Sequence, residues 1–551
     1  MTARERLLLA AGVVLPLAAF AGAAFGIDAP VFLAVAARIT HAPLDPFGFT
    51  MVWDATSTDV ARFNLNPPLF SYWLAPWLLA FGESEPWLHA ATWPFPLLAA
   101  FSFAGIARRA AIDALPATAL LVTTPAFFVL AATLQLDVPV EALLLAAVYA
   151  LLRARASGSW RWELVAGLAA AAAGLTKYVG LAALPLLAAG LVILPGERRG
   201  GALGSWLRVV GVPALVLAAW GAFTRARYGF VHYAAGVAFV GERSLAPPAE
   251  LLNHWLSLPI WIGGALAFPI CLWVLRLLRA DRGVELAIVG GLAGAAVAAF
   301  VLPRGEPLRR VKLDLGDAAL AAVCFGAGLL CVGLVLGRGR ALLRDPLDRF
   351  LALWGAGFLA FSLFVNWHVN AADALLVAPP LLLLLLRDPR TRPSRRVQWA
   401  CAAASFVLSL ALAAADAAQN DVYRRAASQL SEAIGSEPGA RWLVGQWGFQ
   451  HYLGRVGFQP VVPATPGASG SLLVPGDWVA TARNVSQLDL RGYMARYRIQ
   501  PVRSFVARSA LPLRTTNPDA GAGFYSHHGG YVPFAFSRAP LDEIQLGRVA
   551  R

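Results

Sequence analysis

A chain of 551 residues with 58% hydrophobic and 14% charged residues has far fewer charges than the roughly 25% of an ordinary globular protein, and more apolar side chains than a water-surrounded core could hide. Lipid must therefore be the solvent for much of it. The net charge of +14 would suggest nucleic acid if the arginines formed one patch, but scattered through short loops they mark the cytoplasmic side of a membrane protein.

Taken in chain order, apolar runs approaching the roughly 20 residues of a spanning helix begin near Leu7, Trp87, Ala114, Val138, Leu164, Val179, Leu207, Leu256, Val284, Ala318, Phe350, Ala371 and Val397, about thirteen in all. The first follows Thr2-Ala3-Arg4-Glu5-Arg6 without a small-residue cleavage site, so a retained span is expected rather than a signal peptide. Arg108 and Arg109, then Arg153, Arg155 and Arg161, then Arg198, Arg199 and Arg208 occupy alternate connections. So do Arg276, Arg279 and Arg282, then Arg338, Arg340, Arg344 and Arg349, then Arg387, Arg390, Arg392, Arg395 and Arg396. This pattern puts the N-terminus in the cytoplasm, and an odd span count puts the C-terminus outside, as in a multi-pass protein of the plasma (inner) membrane. No nucleic-acid partner is implied. One loop departs: Arg304, Arg309, Arg310 and Lys312 would face outward, so either a span is miscounted there or the loop binds something anionic. Cys271, Cys324, Cys331 and Cys401 all lie inside apolar runs, which offers neither a disulfide framework nor zinc spacing.

The expected fold is an all-α polytopic membrane protein over residues 1–416, followed by a small extracytoplasmic α/β domain over 417–551. In that tail, 421–434 reads as a polar helix, Trp442-Leu443-Val444 and Leu472-Leu473-Val474 as short strands, and Trp447-Gly448-Phe449-Gln450-His451-Tyr452 as a helix start.

Polar residues at the outward ends of the spans are the informative minority. The first span leads into Gly26-Ile27-Asp28-Ala29-Pro30, and an acid at that depth is costly without a partner or a task. Gln135-Leu136-Asp137-Val138-Pro139-Val140-Glu141 opens the fourth span. Pro139 suits a first helical turn, so Asp137 reads equally well as an N-cap, with Glu141 one turn below on the same face. Gly174-Leu175-Thr176-Lys177-Tyr178 holds one of only two lysines, which either snorkels to the interface or serves a site. Further outward ends supply Arg225, Arg227, His232 and Tyr233, then Asn366, His368 and Asn370; the histidines taken alone read as interfacial. The long outer loop 28–86 contains an apolar stretch 29–40 with helical spacing, the acids Asp45, Asp54 and Asp59, and Asn64-Leu65-Asn66-Pro67-Pro68-Leu69-Phe70-Ser71-Tyr72-Trp73-Leu74. Both stretches read as helices lying at the membrane interface, and a loop this long is expected to have a function.

An acid closing the first span, two interface helices, a Pro-Pro-Leu-x-x-Tyr-Trp stretch, an Asp opening the fourth span and Leu-Thr-Lys before the sixth together resemble the GT-C glycosyltransferases. The similarity is greatest to the protein O-mannosyltransferase and aminoarabinose transferase group, over about the first 230 residues. The resemblance implies transfer of a sugar, with inversion, from a polyprenyl-phosphate donor to a hydroxyl of a lipid, glycan or protein on the outer face. By position in the motif Asp28 would be the general base, Lys177 the group that stabilises the leaving phosphate, and Arg225 or Arg227 further cations. Asp137 would orient substrate or, with Asp28, hold a divalent ion; metal dependence is left open. Asn66, Tyr72, His232 and His368 are candidates for substrate contacts. Two departures matter: Ala29 stands where some relatives carry a second acid, and Asn66 where aminoarabinose transferases carry a donor-binding Lys. A transporter or flippase of lipid-linked sugars is the alternative, although it would be expected to gather polar residues near mid-membrane in two related halves.

Overall fold

The computed structural model describes residues 1–551 except 54, 197–200, 245–247, 278–289, 292–293, 295–314, 464–469, 486–491, 493, 495 and 551. The chain opens with helix Ala3–Ala18, started by a capping box in which Thr2 accepts the Glu5 amide and Glu5 returns the bond to the Thr2 amide. Among the described residues five helices are long and apolar enough to cross a membrane: Glu85–Arg109, Gly201–Tyr228, Gly316–Leu336, Pro346–Val365 and Arg395–Ile434. A sixth arises if Ala114–Val122 and Pro125–Ala131, bent by 66°, form one broken span. The break has a local cause. The Thr124 hydroxyl accepts the Phe127 amide at 3.1 Å and starts a new helix, while Pro125 cannot continue the old one.

Other runs also fold as helices but are shorter or more charged. Trp160–Thr176 and Ala371–Arg387 have 17 residues each; Asp137–Ser157 reaches 21 but contains Asp137, Glu141, Arg153 and Arg155. Thirteen is thus a count of apolar runs, whereas among the described residues five or six helices pass on length and composition. The run near Val284 and the basic loop at Arg304, Arg309, Arg310 and Lys312 lie outside the described residues.

Both helices expected in the outer loop form, as Ala29–His41 and Leu69–Phe81. They pack on one another through Phe32 and Phe70, ring centroids 5.9 Å apart, and the Ser71 hydroxyl donates to the Phe32 carbonyl at 3.0 Å. Between them lies a hairpin, Thr50–Trp53 paired antiparallel with Thr56–Asp59, which the sequence reading did not foresee.

Helix Arg395–Ile434 runs 40 residues without a break through position 416, so the polar stretch 421–434 is its far end and not a separate helix. Beyond it a five-stranded mixed sheet has the order Gln459–Pro460, Arg441–Val444, Trp478–Ala482, Asp542–Val549, Ile499–Ala507. The strand at Trp442-Leu443-Val444 and the helix Trp447–Arg455 form as expected. Leu472-Leu473-Val474 does not pair as a strand and instead leads into the turn at Gly476. The sheet and its helix pack through Phe449, Leu453 and Ile544 against Phe25, Leu33 and Leu88 of the N-terminal part. A second part of the tail inserts Leu513, Phe524, Val532 and Phe534 into the core of the helical bundle itself.

Candidate functional site

Asp28 sits at the turn between helix Ala3–Ala18 and helix Ala29–His41, at the N-cap position with Pro30 in the first turn. The turn is held from two sides. The Phe25 amide donates to the Tyr452 hydroxyl at 2.8 Å, and a Cβ on Gly26 would stand 2.1 Å from Asn420 Oδ1 of the long helix, so any larger residue there would have to displace the Asn420 side chain. Ile27, the residue before the acid, has φ of +45°, a left-handed conformation that is a genuine outlier for a β-branched side chain. Such strain persists only where surrounding structure over-determines it, and it concentrates at functional sites.

Lys177 ends helix Trp160–Thr176 in an extended conformation, which swings its side chain towards the start of helix Asp137–Ser157. Its Nζ lies 2.6 Å from Asp137 Oδ1. Asp137 is therefore not the N-cap that its sequence context allowed: Leu136 occupies that position, and the carboxylate is committed to the ammonium. Asp28 and Asp373 also act on the Lys177 ammonium through space. Asp373 is positioned by Asn370 in a capping box, and by hydrogen bonds from Ser362 at 2.9 Å and Asn366 at 3.0 Å. One turn below Asp137, Glu141 is fully buried, and neither carboxylate oxygen has a hydrogen-bond partner among the described residues.

A second polar chain runs from the tail into this region. The Tyr525 hydroxyl donates to Asp416 Oδ2 at 3.1 Å, Thr515 donates to Asp416 Oδ1 at 2.9 Å, and Asn420 donates to Asp416 Oδ2 at 3.1 Å. Tyr525 also lies close to Thr133 and in the field of Asp137. Asp373, Asp416 and Tyr525 were not singled out from sequence; the acids lie within apolar runs, which was the available signal.

The remaining candidates divide. His232 is buried beside Lys177's neighbour, its Nδ1 2.5 Å from the Tyr178 hydroxyl, to which Trp220 also donates at 3.0 Å. The Asn370 amide lies 2.8 Å from His368 Nε2, and His368 feels the charge of Lys177. Arg227 is taken up elsewhere: it meets Asp45 at 2.7 Å, where Arg38 at 2.8 Å and the Tyr228 hydroxyl at 3.1 Å also converge. The hydrogen bond from Arg227 is the main reason that the Asp45 carboxyl is held below its ordinary range, with Arg38 and Tyr228 adding to it and burial opposing it. This cluster ties the outer loop to helix Val212–Tyr228. Arg225 is exposed and makes no ion pair among the described residues. Tyr72 donates to the Pro43 carbonyl and so braces the loop, and Asn66 bonds Asn64 Oδ1 through its amide at 3.3 Å.

Residues 66–222 match the family described as dolichyl-phosphate-mannose-protein mannosyltransferase. Over this stretch the chain is similar to that mannosyltransferase family. The matched stretch contains Asn66, Tyr72, Asp137 and Lys177 and excludes Asp28. Among solved structures, the apo form of ArnT from Cupriavidus metallidurans is 17% identical over 90% of this chain and 95% of that one, with a TM-score of 0.39. AglB from Archaeoglobus fulgidus, in complex with an inhibitory peptide and a dolichol-phosphate, is 14% identical over 81% of this chain and 63% of that one, at 0.45. The S. cerevisiae protein O-mannosyltransferase Pmt1-Pmt2 complex bound to the sugar donor is 17% identical over 42% of this chain, at 0.32. The matched part spans about a third of that protein, 34%. Superpositions this loose assign no residue a role. No curated protein matches the chain.

Proposed function

We propose that this protein transfers a sugar from a polyprenyl-phosphate donor to an acceptor hydroxyl at the extracytoplasmic face of the plasma membrane, inverting the anomeric centre. The observation that carries this reading is the Lys177–Asp137 pair at 2.6 Å, on whose ammonium Asp28 also acts. The acceptor oxygen forms a bond to the anomeric carbon while the bond from that carbon to the phosphate oxygen breaks, and the bonding electrons leave with the lipid phosphate. Asp28 takes the acceptor proton, because an alcohol of very high pKa needs a base within hydrogen-bond reach during attack. Lys177 meets the charge that builds on the departing phosphate. Asp137 holds the ammonium in place between turnovers, and the strained peptide at Ile27 fixes the direction of Asp28.

In this reading residues 1–416 are the membrane-embedded catalytic part, with the N-terminus cytoplasmic, and 417–551 lie on the outer, acceptor side, from which Leu513, Phe524, Val532 and Phe534 reach into the bundle. Tyr525 and Thr515, which reach Asp416 from the tail, support a tail that helps to shape the site. Reconstituting the purified protein in liposomes with radiolabelled polyprenyl-phosphate hexoses and pentoses tests the function. Label appearing on an acceptor supports it. Movement of the sugar-lipid between leaflets without transfer sinks it in favour of a flippase.

A further inference from the structure

A cluster of histidines around Glu250 stands apart from the residues used above. Glu250 and His254 are one turn apart on helix Pro248–Leu266, while His527 and His528 come from the short helical turn His527–Gly529 of the tail. Glu250 Oε1 is 3.2 Å from His527 Nε2, 3.4 Å from His528 Nε2 and 4.0 Å from His254 Nε2. Three imidazole nitrogens from two distant parts of the chain thus converge on one carboxylate oxygen.

The second nitrogen of each ring separates their roles. His254 Nδ1 faces the Leu363 carbonyl at 3.3 Å, which places the proton on Nδ1 and leaves Nε2 as a lone pair. That Nε2 is buried without a hydrogen-bond partner, on a side chain only 4% exposed. A backbone carbonyl behind the ring and a bare nitrogen in front is how a protein prepares a metal-binding histidine. His527 is arranged the other way. Its Nδ1 accepts the Val369 amide at 2.9 Å, so the proton is on Nε2 and is donated to Glu250. His528 is more open to solvent, 44% exposed, and its ring stacks on Trp367. Asn253 holds the other Glu250 oxygen at 2.9 Å.

We propose that Glu250, His254 and His528 form a site for a divalent transition metal of the zinc type, with His527 orienting the Glu250 carboxylate by hydrogen bonding. Two ligands of a tetrahedral zinc stand about 3.3–3.5 Å apart, which the Glu250–His528 separation of 3.4 Å matches; Glu250, His527 and His528 hold their ligand atoms within 4.8 Å of one another, and His254, 4.0 Å from Glu250, must swing towards His528 to complete the set. Two imidazoles and one carboxylate suit zinc and leave a fourth position for water or a ligand oxygen. Loading would fasten the tail at His528 to helix Pro248–Leu266, beside His368, which feels His254, His527, His528 and Lys177 together. The sugar-transfer reading does not use this site and stands or falls separately.

The test is a titration of the full-length protein, purified in detergent and stripped with a chelator, with Zn2+ and with Co2+ as the spectroscopic probe. One equivalent bound, a visible absorption band from Co2+ in a low-coordinate site, and a raised Tm that chelator reverses are expected. His254→Gln and Glu250→Gln should lose the band and the equivalent, whereas His527→Ala should bind about 10–100-fold more weakly because only its orienting bond is gone. His41→Gln, an exposed histidine elsewhere, should bind as wild type does. Wild-type protein that takes up no stoichiometric Zn2+ or Co2+ overturns the proposal without recourse to any variant. So does folded His254→Gln protein that binds as tightly as wild type.

Discussion

Lys177→Met removes one charge and leaves the Asp137 carboxylate facing the space the ammonium had filled. The Lys177 side chain is 32% exposed and that of Asp137 11%, so the pair falls between two reference cases. Exposed pairs contribute about 0.2–1 kcal/mol, and breaking a fully buried pair costs about 3–5 kcal/mol. A loss of about 1–3 kcal/mol in stability is expected, most of it the cost of an uncompensated carboxylate. Asp137→Asn in the same chain removes that carboxylate charge, so the double variant should recover most of the Tm. Activity should behave differently. If Lys177 stabilises the departing phosphate, its loss costs about 10²–10³-fold in kcat, the usual effect of deleting one transition-state donor. The double variant should show no recovery of kcat. Calorimetry and single-turnover transfer from a radiolabelled polyprenyl-phosphate sugar, made on the same preparations, separate the two effects. Recovery of kcat in parallel with Tm would refute the reasoning, because Lys177 would then be a structural counter-ion only.

Two further perturbations test the frame around the site. Gly26→Ala places a Cβ 2.1 Å from Asn420 Oδ1 and should lower stability by about 1–3 kcal/mol, the usual cost of overpacking; in an Asn420→Ala background, which has its own cost from the lost bond to Asp416, the same change should cost much less, and an unchanged Tm in the single variant would mean that the turn before Asp28 is not clamped. Asp45 has its carboxyl pKa lowered from 3.8, chiefly by the hydrogen bond from Arg227. A lowered folded-state pKa gives stability that is complete above the unfolded value and lost as pH falls through the folded one. Wild-type Tm should therefore drop more steeply below pH 3.8 than that of Asp45→Asn, and parallel curves would remove the cluster from the account.

The polar residues of the site were legible because apolar surroundings make them expensive: Asp28, Asp137 and Lys177 stand out where lipid is the default solvent. Their pairing was not, since Asp137 and Lys177 are 40 residues apart and the local context of Asp137 favoured a cap equally well. Arg227 and Tyr72 carried the right chemistry but are spent on bracing the outer loop, through partners, Asp45 and the Pro43 carbonyl, that lie far along the chain or in an unpatterned turn. The end of the hydrophobic pattern near 416 was legible as a change of surroundings, yet the helix continues to Ile434, because periodicity reports what a helix packs against and not where its hydrogen bonds stop. Leu472-Leu473-Val474 has the composition of a strand and pairs with no strand among the described residues, whereas Thr50–Trp53 and Thr56–Asp59 pair despite a polar second strand. His527 meets Glu250 across 277 residues of sequence, a distance over which spacing carries no information.

The most direct measurement is single-turnover sugar transfer by Asp28→Asn protein, with binding of the polyprenyl-phosphate donor followed in the same sample. Loss of the base should slow transfer by about 10²–10⁴-fold while donor binding and Tm stay close to wild type. Transfer by folded Asp28→Asn protein at near the wild-type rate would contradict the account at its centre.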